Sequence, residues 1–324
     1  MAAAETALWA RNHRLSRSDI QSALWESRSL VKTALMRGTL HLISAADFPA
    51  YISALRNSRV RQTLRIMARY GISEKEAHAV RDAVVDALAG GPLTRRELTE
   101  RVLSPNIVGK KARPWFEQAS WGVARPAILE GWVCYGPARG QEVTFLRVDQ
   151  WLPKVEHVPE QTAKKLLLRR YLAAYGPATP RDFSRWTSFS SEEAKGVWES
   201  LREELVEVSV EGAQGWILRE DYPRIVKSHL GKPVVRLLPS FDPYMLSHAE
   251  KDHLVDSRWY KKVYRPQWWI SPVVLLNGRV IGTWASTRRG KGPAVELEMF
   301  GKVSGDIRAR VEEESASLER FLAE

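Results

Sequence analysis

Cysteine is almost missing: Cys134 is the single one in 324 residues. That excludes an internal disulfide and any metal site built on several thiolates, and it suits a reducing cytoplasm. Cys134 sits in the strand-like run Trp132-Val133-Cys134-Tyr135 and reads as a small core residue. No stretch approaches the ~20 apolar residues of a membrane-spanning helix. The start, Met1-Ala2-Ala3-Ala4-Glu5, has neither the basic segment nor the apolar core of a signal peptide. Gly-x-Ser-x-Gly, a phosphate loop and a dinucleotide-binding glycine fingerprint are all absent. Acids are lacking altogether between Phe48 and Ser73.

What is present is positive charge. The net charge is +11 and the pI about 9.8, which favours a polyanionic partner. At 44% hydrophobic and 27% charged residues the chain has a soluble globular composition, long enough for two to three domains with cores. Of the 13 tryptophans most belong in cores, and exposed ones are suited to stack on bases.

A block repeats. Gly91-Pro92-Leu93-Thr94-Arg95-Arg96-Glu97-Leu98 returns 85 positions later as Gly176-Pro177-Ala178-Thr179-Pro180-Arg181-Asp182-Phe183. Both copies follow an amphipathic helix and precede a helix and a strand-turn-strand, so one small unit is built more than once. Its plan is that of a winged helix. The fold class expected is α+β, with tandem winged-helix units followed by a small antiparallel sheet and a C-terminal helix. The division expected is 1–57, 58–152, 153–230 and 231–324.

The first unit reads as incomplete. Helices are expected over 5–11 and up to Trp25, the second capped by Ser18 or Ser16. Strands over 30–35 and 39–43 flank the turn Arg37-Gly38, where glycine accepts positive φ. A winged helix needs three helices before its wing, so the first is expected upstream of Met1. Ser44 is expected to open a helix to about Arg56. A basic stretch with Arg56, Arg59, Arg61, Arg65 and Arg69 follows. Arg61, Arg65 and Arg69 are spaced by four and line one helix face. They read either as a phosphate-contacting ridge or as a solvated face.

In the second unit, Ser73 with Glu76 and Thr94 with Glu97 form capping boxes, and Ala77, Val80, Val84 and Leu88 a buried stripe. A loop carries Lys110, Lys111 and Arg113. A third helix is expected over 115–129, restarted at Pro126, with wing strands over 132–135 and 142–148 around a tip at 136–140. In the third unit Leu167, Tyr171 and Ala174 face inward and Lys164, Lys165, Arg169 and Arg170 outward. Its wing tip carries Glu211, which favours a structural copy over a DNA reader. Beyond it, Asn277-Gly278 signals a tight hairpin. Arg288-Arg289-Gly290-Lys291 makes a basic turn, and a last helix over 305–322 presents Ile307, Val311, Leu318 and Phe321 to the sheet. Glu312, Glu313 and Glu314 are expected on its solvated side.

A winged helix sets its third helix in the major groove and its wing on the backbone. Arg125 on that helix, Lys110, Lys111 and Arg113 before it and Arg139 on the wing suit this role. In the first wing, alternation places His41 on the face of Thr39 and Ile43, near Arg37. His248, His253 and the nearby Asp242 do not make a metal site, because histidines five apart do not share a helix face. No metal, cofactor or catalytic residue is assigned.

The segment Leu30-Val31-Lys32-Thr33-Ala34-Leu35-Met36-Arg37-Gly38-Thr39-Leu40-His41-Leu42 resembles the wing signature of the AlkZ-like (YcaQ-like) winged-helix DNA glycosylases. Leu237-Leu238-Pro239-Ser240-Phe241-Asp242-Pro243-Tyr244 and the run from Arg265-Pro266 through Trp284 resemble the C-terminal block of the same family. The resemblance implies tandem winged helices embracing DNA and metal-free hydrolysis of the N-glycosidic bond of alkylated purines, including interstrand cross-links. It also implies a glutamine–apolar–glutamine (or aspartate) motif that positions water, lying just before the segment that matches Ala2 to Arg11. No such pair occurs in these 324 residues, where Gln21, Gln62, Gln118 and Gln141 stand alone. The expectation is a monomeric cytoplasmic protein that binds double-stranded, alkylated or cross-linked DNA but releases bases poorly, leaving enzymatic activity open. DNA-facing residues expected are Arg37, Thr39, His41, Arg61, Arg65, Arg69, Lys110, Lys111, Arg113, Arg125, Arg139, Arg288 and Arg289. The rival reading is a winged-helix transcription regulator without enzymatic activity.

Overall fold

The computed structural model describes residues 2–105, 107–118, 122–153, 156–289 and 292–324. They form two compact units, one of Ser22–Arg170 with Thr187–Ser200, the other of Met1–Gln21, Tyr171–Trp186 and Leu201–Glu324.

The first of these opens on an antiparallel hairpin, Leu30–Ala34 with Leu40–Ser44, in which Val31 faces Ile43 and Thr33 faces His41. Its connection is a tight turn over Met36–Gly38 with Arg37 at φ 56° and Gly38 at φ 67°. The helix expected from Ser44 starts later and runs much further, Phe48–Arg69, through the whole arginine stretch. The Ser44 hydroxyl accepts from Ala46 N–H and so closes a turn, while Pro49 takes a first-turn position where its missing N–H costs nothing.

Next come Glu74–Ala87 and Arg95–Leu103, each opened by a reciprocal capping box, Ser73 with Glu76 and Thr94 with Glu97. The third helix expected over 115–129 with a restart at Pro126 is resolved as Arg113–Gln118, a 3-10 turn Gly122–Ala124 and a last piece Arg125–Leu129 that holds Pro126 in its first turn. Gly122 at φ 54° breaks the helical run before Pro126. The wing is longer and its tip shorter than expected: Val133–Arg139 pairs with Glu142–Arg147, with an irregularity between Gly136 and Arg139. A short strand, Leu93–Thr94, adds to its edge.

Val80, Val84, Leu88, Leu98, Phe116, Ile128 and Phe145 fill the core of this winged helix. A second cluster joins Val31 and Phe48 to Cys134, Leu146 and Val148, packing the first hairpin on the second. At about 1.5–3 kcal/mol per fully buried large apolar side chain, this packing fixes where the Arg37-Gly38 turn lies. Lys164, expected to face out, is buried between Glu160 at 2.6 Å and Glu193 at 2.8 Å. A compensated ion pair lets the amine leave water. Glu193 also accepts from Ser58, which fastens the middle of the long helix.

In the second unit the hairpin Leu205–Val210 with Ala213–Leu218 turns on Glu211-Gly212 alone, at φ 51° and 84°. A four-stranded antiparallel sheet has the order Gly292–Met299, Arg279–Arg289, Val273–Leu276, Val235–Leu238. Asn277 and Gly278 both take positive φ, 50° and 85°, as the hairpin signal requires. Helix Gly305–Ala323 packs on the strands Gly292–Met299 and Val235–Leu238. Glu314 corrects the expectation of a solvated acidic face, since it is buried beside Val311, Ser315 and Leu318. In a 3.6-residue period, position 314 falls one turn from 311 and 318 and so shares their face. No described helix is long and apolar enough to cross a membrane.

Candidate nucleic-acid interface

The hairpin turn at Gly38 gathers three arginines. Glycine has no Cβ, and a Cβ built there would lie 3.2 Å from Arg59 Nη1 and 3.4 Å from Arg125 Nη2. The guanidinium of Arg59, though only 4% exposed as a residue, keeps Nη1 without a hydrogen-bond partner among the described residues, while Nη2 donates to Thr187 O at 3.2 Å. Burial, with Arg37 and Arg125 alongside, pushes Arg59 down to about 9, so it remains cationic at neutral pH. Burial also lowers Arg125. Like charges converging in a place of low dielectric constant raise the energy of the free protein and favour an arriving anion.

His41 borders this group. Its Nδ1–H donates to Thr39 O at 2.8 Å, which leaves Nε2 as an acceptor in the neutral ring. Burial pushes the imidazole down to about 4, and Arg37 and Arg59 act in the same direction. Opposite it, the buried hydroxyl of Thr33 has no partner among the described residues. Thr39 is exposed and donates its hydroxyl to Met36 O at 3.1 Å.

Arg61, Arg65 and Arg69 are all exposed on helix Phe48–Arg69, with Met67 and Thr63 on its buried side. Arg61 reaches Ser58 at 3.3 Å and Glu193 at 3.8 Å, leaving Arg65 and Arg69 as the freer end of the row. Lys110 and Lys111 lie exposed in a turn. Arg113 binds Glu117 at 2.8 Å and Leu103 O at 3.0 Å, and Arg139 binds Glu97 at 2.9 Å and Pro92 O at 3.1 Å. Both are therefore tied into their own unit. Arg288 is exposed on the long hairpin, and Arg289 ends the same strand. Gly290 and Lys291 lie outside the described residues.

Sequence reasoning put Arg37 and His41 forward from the first wing and Arg125 from the third helix of the second unit, and the structure brings all three around Arg59. Arg59 itself was passed over as a site residue because one buried arginine in a basic helix carries no sequence signal. A second omission belongs to the other unit. Trp268 is 90% exposed, on backbone at φ 62° beside Gln267 at φ 59°. Next to it Trp269 meets Phe241, also at positive φ, edge-on at 5.1 Å. The doublet Trp268-Trp269 was its only signal.

The histidine pair has other work. His248 contacts Ser247 Oγ at 2.8 Å and Pro177 O at 3.1 Å, and Asp242 receives both guanidinium nitrogens of Arg11 at 2.7 and 2.9 Å. Among the described residues no group of three or more His, Cys, Asp or Glu is arranged to hold a metal ion.

Repeated helix–hairpin units define a protein of the winged-helix class. A family profile described as DNA glycosylase AlkZ-like matches residues 1–321. The "Interstrand DNA cross-link repair glycosylase" of Streptomyces sahachiroi is 34% identical over 266 residues, covering 79% of this chain and 70% of that protein. The solved structure of Streptomyces sahachiroi DNA glycosylase AlkZ matches with a TM-score of 0.84 at 28% identity, over 99% of this chain and 86% of that one. The chain belongs to the AlkZ-like DNA glycosylase family.

Proposed function

We propose that this protein is a DNA-repair protein that grips double-stranded DNA bearing alkylated or cross-linked bases, as a monomer in the cytoplasm. The observation that carries the reading is the cationic turn at Gly38, where Arg37, Arg59 and Arg125 converge on a site that favours an anion. Family membership supports DNA as the polyanion, and the name of the Streptomyces relative supports cross-linked DNA as its form. The exposed row Arg61, Arg65, Arg69 adds phosphate contacts that hold the duplex without reading sequence.

The test is titration of a short duplex, undamaged or carrying a 7-alkylguanine, over a range of salt concentrations. Expected are tighter binding to the damaged duplex and an affinity that falls steeply with salt. Affinity indifferent to salt would refute the phosphate grip. A palindromic footprint with no preference for damage would instead make the protein a regulator. Base release from the same duplex, followed in parallel, tests whether these 324 residues alone support hydrolysis of the N-glycosidic bond. Fast release would assign the positioning of water to side chains among them.

A further inference from the structure

Burying a charge without a partner costs far more than burying an ion pair, so a bare buried cation calls for an explanation. Arg59 is nearly such a cation: its Nη2 has only the neutral carbonyl of Thr187, its Nη1 has no hydrogen-bond partner among the described residues, and Nη1 borders the space that a Cβ at position 38 would fill. Arg125 Nη2 borders the same space. The strongest charges acting on Arg59 are the cations Arg37 and Arg125. Access comes from the hairpin, where Thr39 and Leu40 are exposed and Arg37, His41 and Arg125 partly so.

We propose that the Gly38 turn is a receptor for one DNA phosphodiester, whose oxygens are held by Arg59 Nη1 and the guanidinium of Arg125, with Arg37 at the rim. This rests on the DNA-binding reading above for the source of the phosphate, but not for the existence of the anion site. The three arginines approach from two elements besides the turn itself, so the cradle selects a compact tetrahedral anion that several donors meet at once. Glycine at position 38 is then needed for space as well as for its φ of 67°. The outward arginine row meets phosphates through water-exposed side chains. The turn would instead withdraw one phosphate from solvent and so fix the register of the duplex on the protein.

The experiment compares the wild-type protein with Arg59→Met, and with Arg59→Lys as a milder change. Melting temperatures are recorded in inorganic phosphate and in chloride at matched ionic strength. In parallel, duplex affinity is measured against salt. Expected is a saturable rise in melting temperature with phosphate for the wild type, absent in Arg59→Met. The methionine variant should also melt no lower than wild type in chloride, because it removes an uncompensated buried charge. Its log–log salt slope for DNA should be smaller by about one phosphate contact. No phosphate shift in the wild type, a measurement that needs no variant, would overturn the anion site. A phosphate shift with an unchanged DNA slope in the variants would assign the site to free phosphate and overturn the phosphodiester. Should wild type fail to bind DNA at all, the functional reading falls, while the melting comparison still decides whether the turn binds an anion.

Discussion

Two titratable residues make opposite pH predictions. His41 is held neutral by burial and by Arg37 and Arg59, its value falling from 6.5 to about 4. Between those values the unfolded chain takes up a proton that the folded chain refuses, so this group costs stability as the pH drops through that window. His41→Gln is expected to flatten the acid limb of a melting-temperature profile, and an unaltered limb would contradict the assignment. Glu314 behaves in reverse. Burial raises it from 4.5 to about 7 against the opposing pull of Arg236 and of an N–H donated by Leu237. The folded chain then holds the extra proton, so its contribution is complete below pH 4.5 and is lost as the pH rises through 7. Glu314→Gln should stabilise the protein at pH 8 by up to about 3 kcal/mol, read as a higher melting temperature there and little change at pH 4.5. Trp268, almost wholly exposed, allows a cleaner separation of fold from binding. Its replacement by alanine should leave stability within about 0.5 kcal/mol while weakening DNA binding by about 1–3 kcal/mol if a base stacks on it. Unchanged affinity would remove that loop from the interface.

At the scale of elements, the basic helix is the sharpest case. Reversing Arg61, Arg65 and Arg69 to glutamate should weaken duplex binding and reduce the salt slope by up to about three contacts, less whatever Arg61 commits to Glu193. An unchanged slope places that helix face away from the duplex. This helix also shows what a sequence conveys and what it withholds. Spacing by four was enough to put the three arginines on one exposed face, because the period of a helix is local. The start at Phe48 was not legible, since Ser44 is as good a turn residue as it is a helix cap and only its bond to Ala46 N–H decides. Capping boxes at Ser73 and Thr94 and the hairpin at Asn277-Gly278 were legible for the same local reason. Lys164 was not, because its burial depends on Glu193, from another helix; Glu314 shares the helical spacing of Val311 and Leu318 and was missed because it was read with Glu312 and Glu313 as one acidic run. The anion cradle is like Lys164, as Gly38, Arg59 and Arg125 come from three elements that tertiary packing brings together.

For the whole molecule, repetition and charge indicated the winged-helix plan before any coordinates, and the closeness of the fold to the Streptomyces glycosylase bears it out. The repeat is a statement about ancestry of segments, whereas the two compact units reflect which segments pack together. One of those units draws on the two ends of the chain. Arg11 grips Asp242 across 231 positions, Trp9 stacks near Phe321 at 5.9 Å, and the Arg17 amide donates to Glu324 at 2.9 Å. This arrangement sets a clock during synthesis. At about 5–20 residues added per second, the segment around Trp9 must wait tens of seconds for the segment around Phe321 that it packs against. The stretch from Ser22 to Arg170 already holds nearly all of its own unit when half the chain has emerged. The Gly38 turn and the three arginines around it can therefore be assembled while the segment around Trp9 still has no core to enter. Its apolar face is open to chaperones and proteases throughout that interval.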